Sequence, residues 1–319
     1  MNIKKKLLYL RSLRCFLMKI AFLISAHTDP VHLQRLVKSL PQGSEFFIHV
    51  DAKSDQQAFS SLLDRSDVHF IRERYGVMWG SMQQVRFQRA LVEAALAFPV
   101  HFDYLFTLSG LDYPVWSNTR ILHFLQDHFG DQFIQGICLS SQPPQLVKLY
   151  REYRLLNDHS WRYGSLKSKF RVALRKLIYA LGFRKPLNPP VGSGSCPLYK
   201  GSDWWAITSE LADYALRFMD SHPEFVRYFQ NSFSPSETIW QTIVFQSPFA
   251  SRCILSEGEF TRLEDYTPLT YIEYGQSIKE LTEADFERIV SSNKMFCRKT
   301  TTDKSDKLME MIDEFRSHG

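Results

Sequence analysis

Three short apolar runs constrain this chain most: KIAFLISAH (19–27), EFFIHVD (45–51) and FDYLFTLSG (102–110). Each is rich in aliphatic and aromatic residues and stops at polar ones, namely Thr28-Asp29-Pro30, Asp51 and Ser109-Gly110. Runs of that length bounded by turn signals read as buried strands. DVHFIRE (67–73) adds a further strand. Between them, VHLQRLVKSL (31–40) spaces Val31, Leu33, Leu36, Val37 and Leu40 as a helix, SMQQVRFQRALVEAALAF (81–98) is a long amphipathic helix, and NTRILHFLQDHF (118–129) is another. The order β-α-β-β-α-β-α implies an open α/β sheet of Rossmann-like type. Ligands of such sheets lie beyond the carboxyl ends of the strands. Ser25-Ala26-His27, Asp51 and Ser109-Gly110-Leu111-Asp112 occupy those ends. Neither G-x-G-x-x-G nor G-x-x-x-x-G-K-[ST] occurs, which disfavours a dinucleotide oxidoreductase and a P-loop NTPase.

Further on, GSDWWAITSE (201–210) is expected as a strand, followed by a helix over 210–219. FSPSETIWQTIVFQS (233–247) is a turn leading into a helix. A strand at 270–274, a helix at 282–292, a basic turn at 294–299 and a last helix complete the chain. KSKFRVALRKLIYALGF (167–183) places Phe170, Leu174, Leu177, Ile178 and Leu181 on one helical face, with Lys167, Lys169, Arg171, Arg175 and Lys176 on the rest. Such a helix either lies on an anionic membrane or docks on its own domain. LNPPVGSGS (187–195) is a loop.

Charge is uneven. Residues 1–17 carry Lys4, Lys5, Lys6, Arg11 and Arg14 without an acid, and eleven Lys/Arg stand between Lys148 and Lys185 against Glu152 and Asp158. Anionic partners are one reading and a solvated basic face the other. Residues 1–17 are expected as a basic, flexible tail and 18–319 as one domain. No apolar run approaches the roughly 18 residues of a membrane span. Cys15, Cys138, Cys196, Cys253 and Cys297 are odd in number and widely spaced, with no C-x-x-C pair. That points to a reducing compartment rather than a disulfide framework or a zinc site.

A series of short motifs then aligns in order: Ile24-Ser25-Ala26-His27 with Asp29-Pro30, His49-Val50-Asp51, Trp79-Gly80-Ser81, Ser109-Gly110-Leu111-Asp112-Tyr113-Pro114, Gly201-Ser202-Asp203-Trp204-Trp205, Ser234-Pro235-Ser236-Glu237 and Phe296-Cys297-Arg298-Lys299. Over about 19–300 the chain thereby resembles the core-2/I-branching β-1,6-N-acetylglucosaminyltransferases and peptide xylosyltransferases. The resemblance implies a GT-A-like nucleotide-diphospho-sugar fold, a UDP-sugar donor (UDP-GlcNAc first, UDP-xylose second), inversion at the anomeric carbon, and no metal or other cofactor. It also divides the domain into a nucleotide-sugar half, 18–140, and an acceptor and catalytic half, 141–319. The sequence contains no Asp-x-Asp, so fixed basic groups are the substitute expected to neutralise departing UDP.

By that resemblance Glu237 is the catalytic base, since a single displacement needs one carboxylate to take the acceptor proton. Ser234-x-x-Glu237 with Pro235 is equally the spacing of a helix capping box. Lys299, with Arg298, matches the donor-phosphate position. A further family arginine falls near Thr270, leaving Arg262 or Lys279 as replacements. Ala26, His27 and Asp51 are assigned to the nucleotide, Trp79, Gly80 and Asp112 to the rest of the donor, and Glu152, Trp204 and Trp205 to the acceptor. The acceptor is a glycan, lipid-linked glycan or peptide, with peripheral contact to an anionic membrane and no nucleic acid. The expected place is the cytoplasm or the cytoplasmic face of the inner membrane. Two other classes stay open: a non-catalytic glycan-binding member of the same fold, and an anionic-polymer binder, for which no nucleic-acid motif speaks.

Overall fold

The computed structural model describes residues 18–157, 159, 164–275 and 277–318. The expected basic tail at 1–17 lies outside the described residues. The first half runs β1 (Ile20–Ala26), α1 (Pro30–Ser39), β2 (Glu45–Val50), α2 (Gln56–Ser60), β3 (Val68–Phe70), α3 (Met82–Leu96), β4 (Tyr104–Ser109), β5 (Asp112–Pro114), α4 (Asn118–Asp127) and β6 (Gln132–Cys138). The second continues with α5 (Pro144–Arg151), α6 (Leu166–Ala180), β7 (Pro190–Val191), β8 (Gly194–Ser195), β9 (Tyr199–Gly201), β10 (Ala206–Ile207), α7 (Ser209–Ser221), α8 (Pro223–Phe229), α9 (Ser236–Phe245), β11 (Cys253–Ser256), β12 (Thr270–Ile272), α10 (Phe286–Ser291), β13 (Phe296–Arg298) and α11 (Asp306–Ser317).

The main sheet has the order β11-β6-β10-β4-β1-β2-β3, with β9 also on β6. β1 is parallel to both β2 and β4, while β10 runs antiparallel between β4 and β6. Residues of β1 alternate between two cores. Phe22 and Ile24 join α1, α4 and α11 on one face, and Ala21 and Leu23 join α3, α7 and α9 on the other. Both faces are covered, which is why these strands are continuously apolar. Phe22 pairs in register with Phe46 and Phe106, and the rings meet at 5.6 and 5.4 Å. A small sheet, β12-β13-β5, stands at the carboxyl end of β4 and carries Arg298 at its tip.

Two expectations change. The strand expected over 201–210 breaks at Ser202 into β9 and β10, which pair with different stretches of β6 on the side opposite β11. The loop at 187–195 contains the two-residue pairing of β7 with β8. Among the described residues the cysteines are free thiols, and no helix is long and apolar enough to cross a membrane.

Candidate active site

The carboxyl ends of β1 and β4, α3 and the start of α9 enclose a cleft of ≈ 190 Å³. Ser25, His27, Trp79, Gln88, Asp203, Trp204, Glu237, Tyr274 and Arg298 line it. A wider outer cavity of ≈ 640 Å³ adjoins it, sharing Trp79, Glu237 and Tyr274 and adding Tyr150, Lys200, Phe233, Phe260 and Arg262. Glu237 therefore stands on the boundary between two spaces.

Glu237 is the second residue of α9, where the helix dipole favours a carboxylate. The capping box is not formed: among the described residues the buried Ser234 hydroxyl has no partner and the helix start has no side-chain cap. The Glu237 carboxylate instead meets the Lys200 ammonium from β9, Nζ to Oε2 at 2.7 Å. Both side chains are buried. Burial opposes the Lys200 charge, but Glu237, then Tyr150, more than offset it and hold the ammonium above the usual lysine range. Ser234 itself adopts φ 42°, a left-handed conformation uncommon for a serine.

Asp203 lies across the cleft floor. Its Oδ1 accepts from Gln88 Nε2 at 3.0 Å and its Oδ2 from the Ser236 hydroxyl at 3.3 Å. Gln88 in turn accepts from Trp240 Nε1 at 2.8 Å. Burial, then the negative field of Glu237, raises the Asp203 pKa to about 6. Tyr274 is raised to about 12 by the same two causes.

On the opposite wall, Arg298 donates to Asp112 Oδ1 at 2.9 Å and stacks over the Trp204 ring at 5.1 Å. Asp112 Oδ2 accepts from the Ser109 amide (2.8 Å) and Trp204 Nε1 (3.1 Å). Burial pushes the Asp112 carboxyl up, against these donors. The Arg298 Nε is buried and has no partner among the described residues. His27 stands in the field of Arg298, Asp51, Lys299 and Lys53, and partial burial and then Arg298 lower its pKa.

The expected residues thus separate. His27, Trp79, Trp204, Glu237 and Arg298 come together in the cleft. Gly80, at φ 72°, turns the chain beside Trp79 and donates to Gln84 Oε1. Ala26 is buried at the end of β1, where its carbonyl accepts from the Asp51 amide at 2.8 Å. Asp51 is buried, and its oxygens accept from the Lys53 and Val77 amides, so it braces the loop ahead of Trp79. Asp112 is wholly buried and serves the cleft through Arg298 and Trp204 rather than by facing it. Lys299 lines a separate depression with Thr28, Asp29 and Lys304, paired to Glu280 at 3.1 Å. Trp205 packs in the core against Trp240, ring centroids 5.2 Å apart, and lines neither cavity. Glu152 is buried against Arg175 (3.1 Å) and Arg154 (3.4 Å), away from both cavities. Of the replacements for the arginine missing at Thr270, Arg262 reaches the outer cavity and Lys279 pairs with Glu273 and Asp285.

Lys200, Gln88, Asp203 and Tyr274 carry no assignment from sequence. One signal was present: Gln88 is a polar residue on the otherwise apolar inner face of α3, with Val85 and Val92.

The chain thus forms an open α/β sheet with a polar cleft at its strand ends, flanked by a small second sheet. Residues 20–290 match the family model for the Core-2/I-Branching enzyme, and the chain belongs to that family. It is 23% identical over 229 residues to a Homo sapiens beta-1,3-galactosyl-O-glycosyl-glycoprotein beta-1,6-N-acetylglucosaminyltransferase, covering 70% of this chain and 48% of that protein. It is 24% identical over 241 residues to the Drosophila melanogaster xylosyltransferase oxt, covering 71% and 24%, and 22% identical over 313 residues to xylosyltransferase 2 of Canis lupus familiaris, covering 92% and 33%. The chain spans about half or less of the length of these relatives. Among solved structures it is similar to mouse xyloside xylosyltransferase 1, with a TM-score of 0.32 at 11% identity over 75% of this chain and 84% of that one.

Proposed function

We propose that this protein is an inverting, metal-independent glycosyltransferase that moves a sugar from a UDP-sugar, UDP-GlcNAc first and UDP-xylose second, onto a hydroxyl of a glycan or peptide. The observation that carries this reading is the position of Glu237. It forgoes the cap its sequence allows and stands between the strand-end cleft and an outer cavity rich in aromatic side chains. A donor in the cleft and an acceptor in the outer cavity would meet at its carboxylate. Trp79, Phe233 and Phe260 offer the apolar faces on which sugar rings stack.

In the reaction the acceptor oxygen bonds to the anomeric carbon as the bond from that carbon to the UDP oxygen breaks. Glu237 takes the hydroxyl proton, and UDP leaves with the electron pair. The ion pair with Lys200 requires Glu237 in the carboxylate form, which is the form a base needs, and fixes where that carboxylate sits. Arg298 is held by Asp112 and Trp204 before any ligand arrives, and its guanidinium lines the cleft, where a fixed cation is suited to charge developing on the pyrophosphate. Lys299 would join it only after leaving Glu280.

The test follows UDP release from a panel of UDP-sugars in EDTA, with and without glycan acceptors. Glu237→Gln should lose roughly 10²–10⁴-fold in transfer while still binding UDP. Arg298→Lys should bind UDP more weakly, because an ammonium cannot span Asp112 and a phosphate together. Absence of both UDP binding and release across the panel would sink the reading. Glycan binding without turnover would favour the non-catalytic alternative.

A further inference from the structure

The outward side of α6 has no role in the cleft. None of its residues is buried. Its inner side is docked: Arg171 donates to Asn157 Oδ1 at 3.3 Å, Arg175 pairs with Glu152, and Leu174 and Ile178 lie against Tyr153 and Leu155. The five apolar residues expected on one face therefore divide. Leu174 and Ile178 turn inward, while Phe170, Leu177 and Leu181 turn outward in line with Leu166, with Phe183 just beyond. These five are between 55% and 85% exposed. Lys167, Lys169, Lys176 and Arg184 are exposed around them, and no Asp or Glu occurs from 159 to 202. On the flank, Lys148 and Arg184 sit over the Tyr179 ring at 5.1 and 4.6 Å.

We propose that α6 seats this protein on the surface of a bilayer containing anionic lipid. The apolar ridge would enter the boundary between headgroups and acyl chains, with the lysines on the phosphates. A bare ridge rimmed by cations, with no acid among them, has the composition of an interfacial helix. A second copy of the chain fits less well, since apposed ridges would bring like charges together. The helix also touches the site's rim: Asn157, which holds Arg171, donates to the Gly80 carbonyl at 3.2 Å, next to Trp79.

Co-sedimentation of the full chain with vesicles tests this. Vesicles of phosphatidylcholine and phosphatidylglycerol in equal parts should carry the protein down, and pure phosphatidylcholine should not. Each exposed cation near such a surface is worth about five-fold in partitioning, so K169E with K176E should weaken binding by at least about 25-fold. F170S with L177S should weaken it in high salt too, where charge is screened. All these side chains are exposed, so both variants should keep the wild-type melting temperature and UDP affinity. The proposal is overturned if wild-type protein ignores the mixed vesicles. It is equally overturned if both variants bind as wild type does, which would place the contact elsewhere on the chain. A dimer dispersed by F170S with L177S, without vesicle binding, overturns it in favour of a second copy.

Discussion

Glu237 and Asp203 are neighbouring carboxylates with different support, and the difference sets a pH dependence. Glu237 has a lysine at 2.7 Å, whereas the Asp203 carboxylate accepts, among the described residues, from the amide of Gln88 and the hydroxyl of Ser236, with the Glu237 charge acting on it more strongly than that of Lys200. Asp203 is therefore raised from 3.8 to about 6. A carboxyl raised on folding stabilises the folded chain fully below its unfolded pKa, and that contribution is lost as pH rises through the folded value. The window here runs from about 4 to 6. Asp203→Asn removes the penalty of ionising in place. Its stability relative to wild type should thus climb across that window and level off above it, by about 1–3 kcal/mol. Thermal melts of both proteins between pH 4 and 7 measure this, and a difference that does not vary with pH would show that Asp203 ionises normally. Residues of this kind were hidden in the sequence. Lys200 and Glu237 are 37 positions apart, and Gln88 and Asp203 are 115 apart. No local pattern pairs them; they meet because β9 packs on α9 and α3 faces the segment that joins β9 to β10.

At the level of elements, the start of α9 shows how a legible signal can mislead. Ser234, Pro235 and Glu237 have the spacing of a capping box, yet the hydroxyl and carboxylate both decline it. Pro235 sits in the right-handed helical region at φ −60° and Ser234 turns left-handed before it, which aims the first turn at Lys200. A left-handed residue other than glycine costs about 1–2 kcal/mol, and a buried hydroxyl without a partner adds to that. Ser234→Gly relieves both, against the extra unfolded-state freedom of glycine. The variant should keep or raise the melting temperature, by up to about 4 °C, while turnover falls as Glu237 loses its fixed aim. Differential scanning calorimetry beside a kcat measurement separates the two effects, and a destabilised variant would mean that the Ser234 conformation is unstrained. β1, β2 and β4 were legible because each is buried along nearly its whole length and ends in a turn signal. The segment 201–205 was not, because its two tryptophans part for reasons of tertiary packing: Trp204 finds Asp112 and Arg298, and Trp205 finds Trp240.

For the whole molecule, the consequence of the topology is that the two halves are not separable bodies. β10 comes from beyond residue 200 and inserts between β4 and β6, both from the first half. β9 and β11 flank β6 in the same way, and β13 from the far end of the chain pairs with β5. α11 closes one core by setting Leu308, Met309 and Ile312 beneath β1, and Arg316 donates to carbonyls of Ser39 and Trp116. A nucleotide half at 18–140 would therefore lack the strand between β4 and β6, along with part of both its cores. Division by function can hold, but division by folding should not. Equilibrium denaturation should show a single transition, coincident by far-ultraviolet circular dichroism and by tryptophan fluorescence, since Trp116 lies in one core and Trp205 and Trp240 in the other. UDP bound at the strand ends should shift that one transition as a unit, by about 2.7 kcal/mol at a hundred times its Kd. Two resolved transitions, only one of which moves with UDP, would show that the shared sheet does not couple the halves. The cleft would then sit on a body that folds by itself, and β10 would not couple the second half to β4 and β6.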